Sequence, residues 1–158
     1  MSISLSAYGE RKFAVNLQTS QGHSNVTWYR FSSKYGEEVL RDFETLFELT
    51  YIPEGFVLVE HLVCPRGATQ IIHIYENAKG EEICFEQALL SHGRGFNKDQ
   101  WDVDILQIRD LDVVYGTQLK KKVLFWGNYG YSFSISVYGS FSQEECLKML
   151  ESVEKIKE

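Results

Sequence analysis

The sequence predicts an α+β domain in which a twisted antiparallel sheet of about seven to nine strands carries two helices on one face. The first observation is a long series of apolar-rich segments between residues 56 and 137, most of them separated by turn residues, in the pattern of an antiparallel meander. The second is an amphipathic segment after Ser142 that begins with a helix-capping signal. The third is an earlier segment, residues 37–48, whose apolar residues follow a helical period.

Seven segments make up the predicted antiparallel meander, and groups of turn residues separate most of them. Glycines at the ends of residues 77–80 and 127–130 tolerate the positive φ that short hairpin turns require. In the last segment apolar residues alternate with serines, so one face should be buried and the other should be small, polar and wet. The segments are FVLVEHLV, TQIIHIYE, EEICFEQA, DVDILQI, LDVVYG, KVLFW and YSFSISV.

The N-terminal part of the chain predicts two strands followed by a helix. Residues 12–19 and 26–32 alternate, and the intervening QGHSN supplies turn residues, which favours a hairpin. A helix across residues 11–18 is the alternative interpretation. Residues 37–48 are predicted to be helical, and Pro53 requires that helix to end before the YIPEGF segment.

The C-terminal segment predicts a second helix, over residues 142–156. Ser142 and Glu145 form the S-x-x-E pattern of a capping box. An apolar stripe along the helix is expected to pack on the sheet. The stripe consists of Cys146, Met149, Leu150, Val153 and Ile156.

Length and charge limit the domain organisation and the partners. A chain of 158 residues has the size of one domain, so we interpret residues 10–158 as a single α+β domain. Residues 1–9 are interpreted as an N-terminal tail, either the remnant of a removed membrane anchor or an ordinary frayed terminus. With 16 Lys and Arg against 22 Asp and Glu, the net charge of -6 disfavours nucleic acid as a partner.

The sequence carries no catalytic signature, because the nucleophile elbow, the phosphate-binding loop and the dinucleotide-binding glycine motif are all missing. Asp102 and Asp104 share a strand face, and a carboxylate pair for glycoside cleavage or for calcium is one interpretation. The favoured interpretation is that both residues are solvated acids at the end of a strand. The residue patterns therefore predict no catalytic site and no cofactor.

Four side chains in the central region, three of them in predicted strands, have two interpretations, and the more specific one is a zinc site. Imidazole and thiolate groups from neighbouring strands can hold zinc, but the spacing here is irregular and the strands alternate normally. We therefore interpret them as buried or half-buried strand residues and predict no metal site. The four residues are His61, Cys64, His73 and Cys84.

The long segment at residues 91–101 is predicted to be an irregular loop through which the protein meets its partner. Loops longer than the usual connection often carry function. Arg94, Phe96 and Trp101 are residue types that anchor interfaces, and two glycines leave the backbone adaptable. The competing interpretation is a connection whose aromatic side chains pack back into the core.

From residue 51 to 153 the chain resembles the bacterial family called domain of unknown function 4367 (DUF4367). The matching features are the Tyr-x-Pro-x-Gly-Phe motif at residues 51–56, a strand closed by Gln87, the Trp126 strand and the Gly-Tyr strand at residues 130–131. A terminal helix near Ser152 completes the match. One departure is the Arg-Asp-Leu-Asp sequence at residues 109–112, where the family often has a glycine.

The resemblance implies a noncatalytic role in sensing or protein interaction. It also implies an extracytoplasmic domain of a membrane-anchored bacterial protein, with contact to the membrane through a removed N-terminal anchor. The alternative is a domain that binds a small ligand or a lipid in an apolar cavity under the sheet. Either a protein partner or a small ligand is thus expected.

Overall fold

The computed structural model describes residues 15–33, 43, 45–63 and 70–157. Among these residues the protein has twelve strands and one helix. The predicted N-terminal tail, residues 1–9, lies outside the described residues. The elements are β1 (Val15–Gln21), β2 (Val26–Ser33), β3 (Phe47–Leu49), β4 (Val57–Val63), β5 (Gln70–Glu76), β6 (Glu82–Leu89), β7 (Arg94–Asn97), β8 (Asp102–Ile108), β9 (Leu111–Gln118), β10 (Lys121–Asn128), β11 (Tyr131–Tyr138), α1 (Gln143–Glu151) and β12 (Val153–Lys155).

The central layer is a seven-stranded sheet with the order β4-β5-β6-β11-β10-β9-β8. All six of its strand pairings are antiparallel, and its seven strands are the seven predicted segments. The order is not that of a simple meander, because β6 pairs with β11 instead of with the next strand in the chain. Two runs of consecutive strands are therefore joined side by side through a non-local pairing.

One face of this sheet is covered by α1 together with a two-stranded sheet, β12-β3. Cys146, Met149 and Leu150 of the helix are buried against the aromatic and aliphatic residues that β6, β10 and β11 direct to this side. Phe133 lies near the centre of the cluster, and its ring is 5.2 Å from that of Phe47 and 5.6 Å from that of Trp126, measured between centroids. This larger core cluster holds the helix layer on the sheet.

The opposite face is partly covered by a three-stranded sheet, β1-β2-β7. Phe31 of β2 and Phe96 of β7 are buried against Val114, Val123 and Phe125 of the central sheet. Strands β9 and β10 are thus buried on both faces, which explains their continuous apolar runs. The predicted hairpin of β1 and β2 is confirmed, and residues 15–18 are strand and not helix.

Two glycines of the central sheet lie directly beneath the aromatic rings of the small sheet. A Cβ atom on Gly116 would lie 2.6 Å from the ring of Phe96, and one on Gly127 would lie 2.9 Å from Phe31. Real carbon atoms do not approach so closely. The missing side chains therefore let the small sheet pack against β9 and β10 at its observed distance.

The helix α1 begins as predicted and ends earlier. Ser142 Oγ accepts a hydrogen bond from the Glu145 backbone N–H at 3.1 Å, and Ser142 N–H donates to the Glu145 carboxylate at 3.0 Å, which completes the capping box. The prediction that the helix continues to residue 156 is wrong. After Ser152, Val153 and its neighbours form β12 and pair with β3, a setting that suits a β-branched residue better than a helix does.

The predicted helix over residues 37–48 is wrong in its last part, since Phe47 begins β3. Residues 37–42 and 44 lie outside the described residues. The cause is a set of tertiary contacts. The fully buried side-chain amide of Gln87 accepts a hydrogen bond from Phe47 N–H at 3.1 Å and donates one to Thr45 C=O at 2.8 Å. These two bonds and the β12 pairing hold the backbone extended despite its helical periodicity.

The fold prediction is confirmed in being rich in antiparallel sheet, but it is wrong on two points. One helix, not two, packs on the sheet within the described residues, and the strands divide among three sheets instead of one. The second difference follows from β9 and β10, whose apolar residues on both faces require a second covering layer.

Gly116→Ala should lower the free energy of unfolding by about 1–3 kcal/mol, because the new methyl group would overlap the Phe96 ring. Denaturant melts of the purified domain measure this change. In a Phe96→Ala background the same substitution should be neutral or stabilising, since the ring is gone and alanine restricts the unfolded chain more than glycine does. Equal effects of Gly116→Ala in both backgrounds would contradict the proposed packing.

Candidate functional site

The structure places the three predicted interaction residues in different environments. Residues 94–97, predicted to lie in an irregular loop, form β7 and pair with β2. Phe96 is only 2% exposed, and its ring packs against those of Tyr29 and Trp101, with centroids 5.8 and 5.2 Å away. For Phe96 the competing interpretation, in which the aromatic side chain packs back into the core, therefore describes the structure, because its strand covers the apolar face of β9 and β10. An interaction role for Arg94 and Trp101 stays a prediction.

Arg94 faces a small pocket between β7 and the central sheet, with a volume of about 120 Å³. The strand pairing brings the wall residues together: β5 lies beside β6, and β6 lies beside β11 with Glu86 directly opposite Ser134. We call this cavity the Arg94 pocket. Its polar lining consists of Gln70, Glu86, His92, Arg94, Ser132 and Ser134.

The pocket contains one cation and one anion that do not form an ion pair. An Arg94 Nη donates to Ser136 Oγ at 3.4 Å, and the Glu86 carboxylate accepts from Gln70 Nε2 at 2.8 Å. Among the described residues, the ion pair with nitrogen and oxygen within 4.0 Å is that of Arg109 with Glu151. Arg109 lies between β8 and β9, which are at the other end of the central sheet from β5. Burial lowers the pKa of Arg94, and the nearby Glu86 carboxylate partly opposes this shift.

The serine face of β11 is drier than predicted. Ser132 is 2% exposed and Ser134 is 5% exposed, since the turn after β6 and the start of β7 lie over them. Ser132 Oγ donates to the Leu89 carbonyl at 3.1 Å. The prediction of a wet face is therefore wrong at these two positions, and their short side chains leave the space that forms the pocket.

The proposed zinc ligands do not converge in the part of the chain that the structure describes. His61 of β4 and His73 of β5 are cross-strand partners with ring centroids 4.6 Å apart. Cys84 lies on the other face, because Phe85, its neighbour in β6, is the partner of His73. Cys64 lies outside the described residues, and no group of three potential ligands occurs among the described ones.

The described thiols are poorly suited to nucleophilic chemistry. Burial, with Glu86 and Glu82 adding to it, raises the pKa of Cys84 to about 11, and burial raises that of Cys146 to about 11. A thiol attacks as the thiolate, which is scarce at neutral pH when the pKa is this high. Asp102 and Asp104 lie exposed on β8, at the edge of the central sheet opposite β4.

The second surface feature is the other edge of the central sheet, which we call the β4 edge and define as Val57–Val63. Every residue of this strand is exposed, and five of the seven are Val or Leu. β5 pairs with one side of β4, while no strand among the described residues pairs with its outer side. A register shift between Leu58 and Glu60 marks a bulge in the strand.

The β4 edge has an acidic character. Glu60 lies at the middle of the strand, and Glu76 of β5 lies opposite Val57. Neither β4 nor β5 contains Lys or Arg. The sequence offered one signal for this surface, since VLVEHLV carries apolar residues at positions that would fall on both faces of a strand. A strand buried on one face alone would alternate.

The structure is a three-layered antiparallel sheet domain with a polar pocket and, among the described residues, no strand paired to the outer side of β4. The chain belongs to the DUF4367 family, a domain of unknown function, whose family model matches residues 46–153. The resemblance noted from the sequence is thereby confirmed. No curated protein and no solved structure matches the chain. Within the described residues, no helix has the length and apolar character needed to cross a membrane.

His73 should make the stability of the domain depend on pH. Burial, aided by the charge of His61, lowers the pKa of His73 below its ordinary value of 6.5. The unfolded chain therefore takes up a proton at this side chain more readily than the folded protein, and the free energy of unfolding should fall as the pH is lowered through about 6.5. Urea melts between pH 7.5 and 5.5 measure the slope.

The matched variants are His73→Leu and His23→Leu, because His23 lies exposed in the β1–β2 turn. His73→Leu should flatten the decline in unfolding free energy toward pH 5.5, whereas His23→Leu should preserve it. An identical pH slope for wild type and His73→Leu would contradict the assignment.

Proposed function

We propose that this domain is a noncatalytic protein-interaction module that takes up an extended segment of a partner protein along the β4 edge. The observation that carries the proposal is the combination of a seven-residue strand exposed along its whole length and an outer side unpaired among the described residues. Strand addition to a sheet edge is a common mode of peptide recognition. Backbone hydrogen bonds supply affinity, and side-chain contacts supply specificity.

The exposed side chains of β4 support this mode of binding. Val57 is 62% exposed and Leu58 is 53% exposed, although β9 and β10 of the same sheet are deeply buried. Natural sheets commonly protect an edge with charged side chains, above all Lys, with Pro, with a bulge or by a very short strand. β4 has a bulge and one central glutamate, but it spans seven residues and contains neither Lys nor Pro. An added strand would cover apolar surface and satisfy backbone groups at the same time.

Charge indicates which strand would fit. If a second copy of the chain paired antiparallel about the centre of β4, the two Glu60 carboxylates would lie across from each other, and like charges in that position are destabilising. A partner segment with Lys or Arg near its centre and apolar residues around it complements Glu60 and its neighbours. We therefore assign the β4 edge to a basic, apolar segment of another protein.

The proposal includes a location and a role in signalling. It places the domain outside the cytoplasm of a bacterial cell, attached through an N-terminal membrane anchor, as the family resemblance implies. Protease treatment of intact cells that express the native gene tests the location. Digestion of the domain in intact cells, with a cytoplasmic marker protected, is the expected result. Protection of both would contradict an extracytoplasmic position.

The Arg94 pocket gives little support to the lipid-binding alternative. Pockets for drug-sized ligands usually measure about 300–1,000 Å³. The Arg94 pocket measures about 120 Å³, and charged and hydroxyl side chains line it together with a few apolar ones. These dimensions and this chemistry do not favour an acyl chain.

The proposed pairing is tested by reversing the charge at Glu60 and at the centre of a probe peptide. The probe is a fluorescent peptide of alternating Val and Thr with one central Lys, and its counterpart has Glu at that position. The wild-type domain should bind the Lys peptide about two- to five-fold more tightly, as expected for a cross-strand charge pair. Glu60→Lys should reverse the preference. Fluorescence anisotropy measures both affinities.

Leu62→Lys and Leu119→Lys form a matched pair, since both replace an exposed leucine and Leu119 lies in the β9–β10 turn. Leu62→Lys should weaken the Lys peptide, through lost apolar contact and like charge, and Leu119→Lys should leave both peptides unchanged. An unaltered peptide preference in Glu60→Lys would contradict the proposal. So would a wild-type dimer in sedimentation that Leu62→Lys dissociates, because a second copy would then occupy the edge.

A further inference from the structure

The Arg94 pocket contains a guanidinium group whose hydrogen-bonding capacity is little used. An arginine carries five N–H donors, yet the hydrogen bond shown for Arg94 is the long one to Ser136 Oγ, at 3.4 Å. Its backbone is fixed by pairing with Tyr29, and its guanidinium carbon lies 5.9 Å from the centre of the Phe96 ring. The side chain is therefore held in place while donors remain for a bound group.

Glu86 supplies the opposite charge on the floor of the same pocket. Its carboxylate is oriented by the bond from Gln70 and influences Arg94 electrostatically, but it lies beyond the 4.0 Å limit of an ion pair. Two partly buried, opposite charges that do not meet leave each other incompletely neutralised. A ligand that reaches both groups would complete the neutralisation.

The surroundings limit the size of such a ligand. Ser132 and Ser134 replace the larger side chains that fill the other face of β11, and the resulting space of about 120 Å³ corresponds to roughly four water molecules. A molecule of about five to seven non-hydrogen atoms fills a space of this order. The Ser134 hydroxyl can donate to a carboxylate, and the Ser132 hydroxyl, whose proton is donated to Leu89, can accept from an ammonium group.

The pair of charges selects the ligand class. A simple anion would be attracted by Arg94 and repelled by Glu86, and a simple cation would experience the reverse. We propose that the Arg94 pocket binds a small zwitterion of the size of glycine or alanine, whose carboxylate contacts the Arg94 guanidinium and whose ammonium group contacts the Glu86 carboxylate. This site is separate from the β4 edge and does not depend on the peptide-binding proposal.

Titrations with small probes test this inference on the whole chain. Glycine, L-alanine, acetate and methylammonium are added separately while the backbone amide signals are followed by NMR. Glycine and alanine should cause saturable shifts at Arg94, Ser134 and Ser136. Acetate and methylammonium, which each carry half of the charge pattern, should bind at least ten-fold more weakly.

Arg94→Gln and Glu86→Gln should each weaken glycine and alanine binding at least ten-fold. The matched controls are Arg109→Gln and Glu151→Gln, because these residues form an exposed pair at 3.9 Å on another part of the surface. The controls should bind as wild type does. Circular dichroism verifies folding, and the probe series on the wild-type domain decides the question even if one pocket variant fails to fold.

Several outcomes would overturn the inference. Acetate binding as tightly as alanine would show an anion site only, and methylammonium binding as tightly would show a cation site. Shifts that grow linearly to high concentration would show no site. Equal loss of binding in the pocket variants and in the control variants would show a nonspecific charge effect.

Discussion

The antiparallel pairing of β6 with β11 is the interaction on which the rest of this structure depends. Eight residue pairs join Glu82–Leu89 to Tyr131–Tyr138, although the two strands lie far apart in the chain. The entropy of closing that long loop opposes their pairing, and the contacts on both faces of the strands must outweigh it. On one face Phe85 and Phe133 meet in the larger core, and on the other Glu86 and Ser134 form the floor of the Arg94 pocket. Core and pocket are thus two sides of one strand pair.

Once the central sheet has formed, its apolar residues require cover on both faces. The helix and the β12-β3 pair cover one face, and Gln87 links that layer to β6 through two hydrogen bonds to the backbone near Phe47. The small sheet covers β9 and β10 on the other face, where Gly116 and Gly127 admit the rings of Phe96 and Phe31. The small sheet leaves part of this face uncovered, and the pocket lies at that boundary. At the far edge β4 remains outside both covering layers.

Sequence patterns correctly predicted those strands and helix ends that can be recognised from their own few residues. The seven central strands and the capping box of α1 are of this kind, since apolar segments bounded by turn residues and the S-x-x-E spacing are visible in short windows. The elements that were missed are short strands stabilised by distant partners: β3 and β12 hold each other, and β7 depends on β2. The pocket could not be predicted, because β5, β6, β7 and β11 contribute to it. Arg94 was singled out for its residue type, whereas the burial of Phe96 follows from a sheet pairing that its neighbours do not encode.

The proposed function requires a stable sheet interior and a β4 edge that is open for binding. Amide hydrogen exchange, resolved by residue in the free domain, measures this difference directly. The amides of β6 and β11 should exchange at the rate of global unfolding. In β4, the amides that point away from β5 should exchange many times faster than the alternate amides that bond to β5. Slow exchange at every position of β4 would show that the edge is already covered, and it would contradict the account.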